Sequence, residues 1–316
     1  MCIRDRRRMS EVIRTFKFKK FGWRMLEFEI PDNWELSVDT RREDFAYFRL
    51  DHIYPRLEVK WEKISKKKPP SLKTSVDEYL KEMQKRAKKS GYEYKVINIR
   101  EVKVMRHPAL SFYVRSTGET LGACWCCPDT ERLILFQLVF KREEYPQMYS
   151  VLQKLLQTMR CHKEGPWLWY FYGFYIRIPK DYSLVNYKFT PGFSKAFFKK
   201  DDVGLIVAYH TVANVVLDEY GDIDNWFTKM CKPQILENLG TLKLLGVRDA
   251  IINGHEGREF TYITRFSLFK KLKVLSYSWL CEKLNRLLNV TFYFPQKMER
   301  VLRDEIDDIL NNSRCH

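Results

Sequence analysis

Two sets of cysteine and histidine hold most of the chemistry available to this chain. The first is His107, Cys127, Cys161 and His162; the second is His255, Cys281, Cys315 and His316. Two thiolates and two imidazoles match the tetrahedral N/S preference of structural zinc. No short Cys-x-x-Cys pair occurs, so each site would be assembled from three separated segments rather than from a zinc finger. Two other chemistries use the same residues. Cys127–Cys161 and Cys281–Cys315 could close as disulfides, which intracellular proteins of hyperthermophiles tolerate and most cytosols do not. A Cys127–His107 dyad could activate a thiolate. Adjacent Cys-His pairs often point apart, which leaves open a site that uses only one of each pair. Reduced, packed cysteines with incidental histidines are the remaining reading.

The spacing shows that the two sets are copies. Trp125, Cys127, Arg132, Leu133, Arg160, Cys161 and His162 recur 154 residues later as Trp279, Cys281, Arg286, Leu287, Arg314, Cys315 and His316. Upstream the offset is 148: Ile30-Pro31 matches Ile178-Pro179, His107 matches His255, and Phe112 matches Phe260. The difference of six fits one longer loop around Phe266 to Lys273. A fixed period of this size means two domains of one fold. The expected boundaries are a tail at 1–8, a first repeat at 9–163 and a second at 164–316, joined at Lys163-Glu164-Gly165-Pro166. Met1-Cys2-Ile3-Arg4-Asp5-Arg6 resembles a translated sequencing adapter, so Met9 is the expected start.

Within the repeats, Trp125 and Trp279 are expected to cover the sites or fill the core above them. Arg132 and Arg286, just past the cysteine-bearing turns, could hydrogen-bond a ligand thiolate or a helix C-terminal carbonyl; an ordinary turn arginine is the alternative. Cys124, Cys126 and Cys231 align with Ser278, Leu280 and Met83, outside the repeated set, and read as small core residues.

The elements that must position these groups follow from pattern. In the first copy, strands are expected at 25–30, 45–50 and 57–64, then a Lys/Pro-rich loop at 66–70. Ser75-Val76-Asp77-Glu78 resembles a capping box opening a helix to about Ser90. Four strands follow at 94–104, 109–116, 122–127 and 133–140. A closing helix starts at Tyr145-Pro146, with Met148, Leu152, Leu155, Leu156 and Met159 at helical spacing. The second copy repeats this order, with strands near 174–178, 195–199 and 205–210 and a middle helix near 223–236. The aromatic run from Trp167 to Tyr175 reads as core and interdomain packing, with a base-stacking platform as the alternative. With the four strands as a meander, His107 sits in the first hairpin turn and Cys127 at the same end. The closing helix climbs about 24 Å at 1.5 Å per residue and returns Cys161-His162 there. All four groups converge on one edge.

Composition bounds the function. Hydrophobic residues make up 45% and aromatics 15%, a globular balance. No stretch approaches the roughly 18 apolar residues of a membrane helix, and no secretory segment opens the chain. The expectation is a soluble cytoplasmic protein. The formal charge is +16, of which residues 9–163 hold +10 and residues 164–316 hold +3. Runs such as Lys66-Lys67-Lys68 and Lys85-Arg86-Ala87-Lys88-Lys89 favour polyanions, or equally form a solvated face in a protein of thermophilic, archaeal-like origin. No Walker loop, GxGxxG, HExxH or paired-acid signature occurs.

The openings Phe28-Glu29-Ile30-Pro31-Asp32-Asn33-Trp34 and Tyr175-Ile176-Arg177-Ile178-Pro179-Lys180-Asp181-Tyr182 share a "strand, Ile-Pro, turn, aromatic" pattern. With the element order, this resembles the PsbP-like fold of the photosystem II extrinsic subunit P, DcrB-like lipoproteins and a Ran-binding import factor. The resemblance implies an α+β architecture, two tandem repeats of a mainly antiparallel sheet sandwiched by helices. It also implies binding or scaffolding rather than catalysis. The reading is therefore a non-enzymatic two-domain binding or scaffold protein with one structural zinc per domain and an unidentified protein partner. The runner-up is a nucleic-acid or ribonucleoprotein-associated factor using the basic first domain. A Cys-dependent enzyme is third.

Overall fold

The computed structural model describes residues 16–264 and 271–316, apart from 41, 43, 66 and 68. The adapter-like opening, Met9 and much of the expected 266–273 loop lie outside the described residues, as do Lys66 and Lys68. The chain divides into two compact units, Met1–Glu164 and Gly165–His316.

The first unit opens with a hairpin, β1 (Phe18–Trp23) and β2 (Leu26–Pro31). There follow β3 (Glu35–Asp39), β4 (Phe45–Asp51), β5 (Pro55–Lys63), helix α1 (Leu72–Lys89), β6 (Lys95–Val104), β7 (His107–Arg115), β8 (Glu119–Cys127), β9 (Arg132–Phe140) and helix α2 (Tyr145–Thr158). Strands β3 to β9 form one seven-stranded antiparallel sheet in the order β3-β4-β5-β9-β8-β7-β6. The second unit repeats the plan. Its hairpin is β10 (Trp167–Phe171) and β11 (Phe174–Ile178); then come β12 (Ser183–Lys188), β13 (Phe193–Lys200) and β14 (Val203–Thr211). Helices α3 (Ala213–Tyr220), α4 (Ile223–Trp226) and α5 (Lys232–Leu239) precede β15 (Leu242–Ile252), β16 (His255–Thr264), β17 (Leu272–Cys281), β18 (Arg286–Pro295) and helix α6 (Glu299–Asn311). The sheet order is β12-β13-β14-β18-β17-β16-β15. Two seven-stranded antiparallel sheets in tandem, each flanked by helices, make the α+β fold expected from the sequence.

Strand alternation decides which side chains meet which helix. On β8, Cys124 faces α1, where Val76, Leu80, Phe112 and Val114 close a small core. The neighbouring residues Ala123, Trp125 and Cys127 point to the other face, against α2 and the β1–β2 hairpin. Met148, Val151, Leu152 and Leu155 are the buried stripe of α2.

Several boundaries differ from expectation. Helix α1 starts at Leu72, not Ser75: Ser71, extended just after Pro70, accepts the Thr74 N–H at 3.5 Å and caps the helix one turn earlier. Four strands, β1, β3, β10 and β12, are additional to those expected. The β10 residues are all buried, and a strand covered on both faces loses the alternation that betrays it. The second middle helix is α4, a π-helical turn over Phe227–Cys231, and α5, with α3 added in front. His107 is not in the turn; it is the first residue of β7, paired with Val104 across Met105-Arg106.

Candidate metal centres

Each cluster is assembled at the junction of three elements. In the first unit β7 begins with His107, β8 ends with Cys127, and the chain after α2 supplies Cys161 and His162. What holds that last segment is a two-way backbone bridge. Glu27 N–H donates to the Arg160 carbonyl at 3.0 Å, and Arg160 N–H donates back at 2.7 Å. The second unit repeats it with Tyr175 and Arg314, both bonds at 2.7 Å. Arg160 and Arg314 were visible in the repeat, but nothing in the sequence pointed to their strand partners.

The bridge brings both members of each Cys-His pair inward. In the first unit His162 Nδ1 lies 3.2 Å from His107 Nε2, 3.4 Å from Cys127 Sγ and 3.6 Å from Cys161 Sγ. In the second, His316 Nδ1 lies 3.5 Å from Cys281 Sγ and 3.6 Å from Cys315 Sγ, and His255 Nε2 lies 3.0 Å from Cys315 Sγ. All four donor atoms of each set fall within 4.8 Å of one another. Zinc bond lengths give tetrahedral edges of about 3.3 Å between two nitrogens and about 3.6 Å between nitrogen and sulfur. Most of these separations are that size, so the donor sets fit the ion. The four cysteines are unbonded thiols in this structure.

The surroundings favour a charged sulfur in the first cluster. Hydrogen bonds from Cys161 and then Thr130 pull Cys127 well below the usual thiol range, against the opposing effect of burial. Cys161 moves up as the proton-holding partner. In the second cluster burial, then Cys281, pushes Cys315 up to about 12. Burial and the neighbouring His316 lower His255.

Trp125 both covers the first site and fills the core. It is fully buried, its Nε1–H donates to Cys161 Sγ at 3.4 Å, and its ring stands edge-on to Phe136. Trp279 is equally buried and packs against Phe174; its Nε1–H acts on Cys315 but forms no hydrogen bond of ordinary geometry among the described residues. Arg132 donates to the Cys161 carbonyl at 2.7 Å and to the carbonyls of Arg24 and Met25 in the β1–β2 turn. It also stacks 5.1 Å above Trp61. Among the described residues Arg286 keeps only the stacking, 5.4 Å above Tyr209, with one guanidinium nitrogen buried and unpaired. Among the described residues neither arginine hydrogen-bonds a cysteine sulfur, though the Arg132 charge lies close enough to act on Cys127 and Cys161. Both are the first residues of strands, not turn residues.

The sequence left other neighbours unmarked. Asp129 Oδ2 lies 3.6 Å from His162 Nδ1 and pairs with Arg106 at 2.8 Å, while Met105 Sδ sits 3.8 Å from Cys161 Sγ. At the repeat offset the second copy has Lys283, Gly254 and Asn253 instead, so no repetition flagged them. Cys124 and Cys231 are buried outside the clusters, and Cys126 is half-buried near the Pro70 carbonyl.

No protein-family model matches this chain, and no curated protein matches it. Among solved structures, cyanobacterial PsbP (CyanoP) from Synechocystis sp. PCC 6803 is similar at 15% identity and a TM-score of 0.38, over 46% of this chain and 92% of that one. The Ran-binding protein Mog1p of Saccharomyces cerevisiae is similar at 8% identity and a TM-score of 0.31, over 45% of this chain and 90% of that one. The type VI secretion immunity protein TplEi of Pseudomonas aeruginosa, at 11% identity and a TM-score of 0.35, is matched along 95% of this chain and 96% of its own. These are likenesses of chain path, and no function follows from them.

Proposed function

We propose that each repeat holds one structural zinc ion through its two cysteines and two histidines, and that the chain is a non-enzymatic two-domain binding or scaffold protein. The observation that carries this reading is the recurrence of four donors at tetrahedral spacing in both units, each set gathered from three segments. Four protein donors close the coordination sphere, the arrangement of structural rather than catalytic zinc. The metal would pin the segment after the closing helix to the strand ends and leave sheet faces and loops to a protein partner. Elemental analysis of the purified full chain tests it. About two zinc per chain are expected, falling to about one in Cys161→Ser or Cys315→Ser and to none in the double variant. Less than half an equivalent, with all four thiols titrating freely or found as disulfides, rejects it.

A second reading rests on charge. The exposed side of α1 carries Lys73, Lys81, Lys85, Arg86, Lys88 and Lys89, in the half of the chain that holds most of the net positive charge. Nucleic-acid binding there should weaken steeply with salt. Affinity for RNA or DNA that is indifferent to salt, or no affinity at all, removes it.

A further inference from the structure

The sheet face beneath the middle helix is built differently in the two repeats. In the second it is filled: Ile206, Trp226, Phe227, Phe260 and Leu287 belong to one buried cluster, and about 80 Å³ remains open beside α5. In the first, the same place is a cleft of about 630 Å³ between α1 and strands β4, β5 and β9. Register makes the correspondence residue by residue. Leu50 faces Leu57 and Leu57 faces Leu138, as Phe198 faces Leu205 and Leu205 faces Phe292. Tyr47, Glu58 and Lys60 therefore stand where the second repeat has Lys195, Ile206 and Ala208.

The cleft has an apolar floor and an anionic wall. Cys124, Leu133 and Leu135 form the floor. Tyr79 O–H donates to Gln137 Oε1 at 2.5 Å, and Gln137 Nε2 donates to Glu58 Oε2 at 2.7 Å. Tyr47 also faces Glu58; burial first, and then this carboxylate, raise its phenol to about 12. Glu78 lines the cleft from α1. The nearby cations are already engaged, Lys60 with Glu62 at 3.3 Å and Arg86 with Glu82 at 3.0 Å. Among the described residues neither Glu58 nor Glu78 forms an ion pair.

The second repeat shows what such a cleft accepts. There the chain supplies its own ammonium: Lys195 Nζ reaches from the sheet to α5, bonds Gln234 Oε1 and sits 3.1 Å from Glu237 Oε2. The first repeat has Tyr47 at that position, and the amine that lines its cleft, Lys60, is paired with Glu62. We propose that this cleft binds an organic ammonium ion with an apolar body. The hydrocarbon lies over Leu133, Leu135 and Cys124, and the ammonium is held by Glu58 from the sheet and Glu78 from α1. The volume is in the range of small-molecule sites, and a charge-assisted hydrogen bond at a half-buried carboxylate discriminates strongly against a neutral isostere.

The test uses the full chain, with tryptamine and phenethylamine as probes and tryptophol as the neutral isostere of tryptamine. Calorimetry should show at least one amine saturating below about 1 mM, with tryptophol about tenfold weaker than tryptamine. Methyl NMR should place the shifts at Met83, Leu133 and Leu135. Glu58→Gln should weaken the amine about tenfold. Tyr47→Lys, which supplies the tethered ammonium of the second repeat, should block binding without lowering the melting temperature. Failure of both amines to saturate by about 5 mM overturns the proposal, as does tryptophol matching tryptamine or binding that ignores both variants. Neither variant touches the zinc donors, so the result stands whatever the metal content.

Discussion

In the first repeat His107 is 4% exposed, and Arg132 ties the Cys161 carbonyl to the β1–β2 turn. In the second, His255 is half-buried, His316 is exposed, and Arg286 stacks on Tyr209 with no carbonyl bonded to it among the described residues. The turns beside the sites differ too. Met105 holds φ of 54° in the left-handed region, whereas the second repeat uses Asn253 and Gly254, residues suited to that conformation. A methionine there costs about 1 kcal/mol and places its sulfur against Cys161. Duplication kept the donors and let their support diverge. The first site is a braced, enclosed centre; the second is an open one built on the same frame.

Four measurements would break or sharpen this contrast. The largest effect belongs to the donors. Cys161→Ser should lose one zinc and several kcal/mol of first-unit stability, since structural zinc binding is folding free energy. Calorimetry should show that unit melting at least about 10 °C lower. A limiting chelator should empty the second site first; simultaneous loss would deny the difference in enclosure.

Next comes the arginine. Arg132→Met should cost about 2–3 kcal/mol because a buried, charge-assisted set of carbonyl bonds is lost. Arg286→Met should cost under about 1 kcal/mol, only a stacking contact being removed. Equal losses in denaturant titration would mean the two arginines do the same work.

A smaller gap separates the tryptophans. A bicyclic isostere lacking the N–H, such as benzothienylalanine at position 125, should lose about 1 kcal/mol with the Nε1–Sγ bond. At position 279 the loss should be smaller, because that N–H acts on Cys315 without forming a bond of ordinary geometry. Urea midpoints of the two substituted proteins provide the check.

The smallest effect is a pH dependence confined to the second unit. His210 Nδ1 accepts the Trp226 Nε1–H at 3.1 Å, so the folded unit needs a neutral ring, and burial lowers its pKa from the ordinary 6.5. The unfolded chain then binds the proton more readily. The contribution is complete above about pH 6.5 and declines as pH falls through the lowered folded value. The first unit has Glu62 at the equivalent strand position. A His210→Gln variant should flatten the acid limb of second-unit unfolding; an unchanged limb assigns it to other groups.

Legibility followed the strength of each local signal. Alternating strands such as β4, β7 and β9 were found because one face is buried and the other is not. The all-buried Trp167–Phe171 strand offered no such contrast. Helix α2 announced itself through Pro146 and a regular apolar stripe, whereas α4, the π turn and α5 broke the stripe's period. The cleft under α1 left no mark at all. Glu58 and Lys60 are polar alternates on β5, and comparison with Ile206 and Ala208 shows that this face can be closed.

Repetition in the sequence alone determined that there are two units, which eight cysteines and histidines recur, and that each set reaches one edge of a sheet. Those conclusions need only spacing and the fixed rise of strand and helix. Tertiary structure decided the rest. The Glu27–Arg160 and Tyr175–Arg314 bridges turn adjacent Cys and His inward together, and Arg132 braces one centre while Arg286 does not. A hydrogen bond between residues more than a hundred positions apart has no local pattern to announce it, because its partners are chosen by how the layers pack.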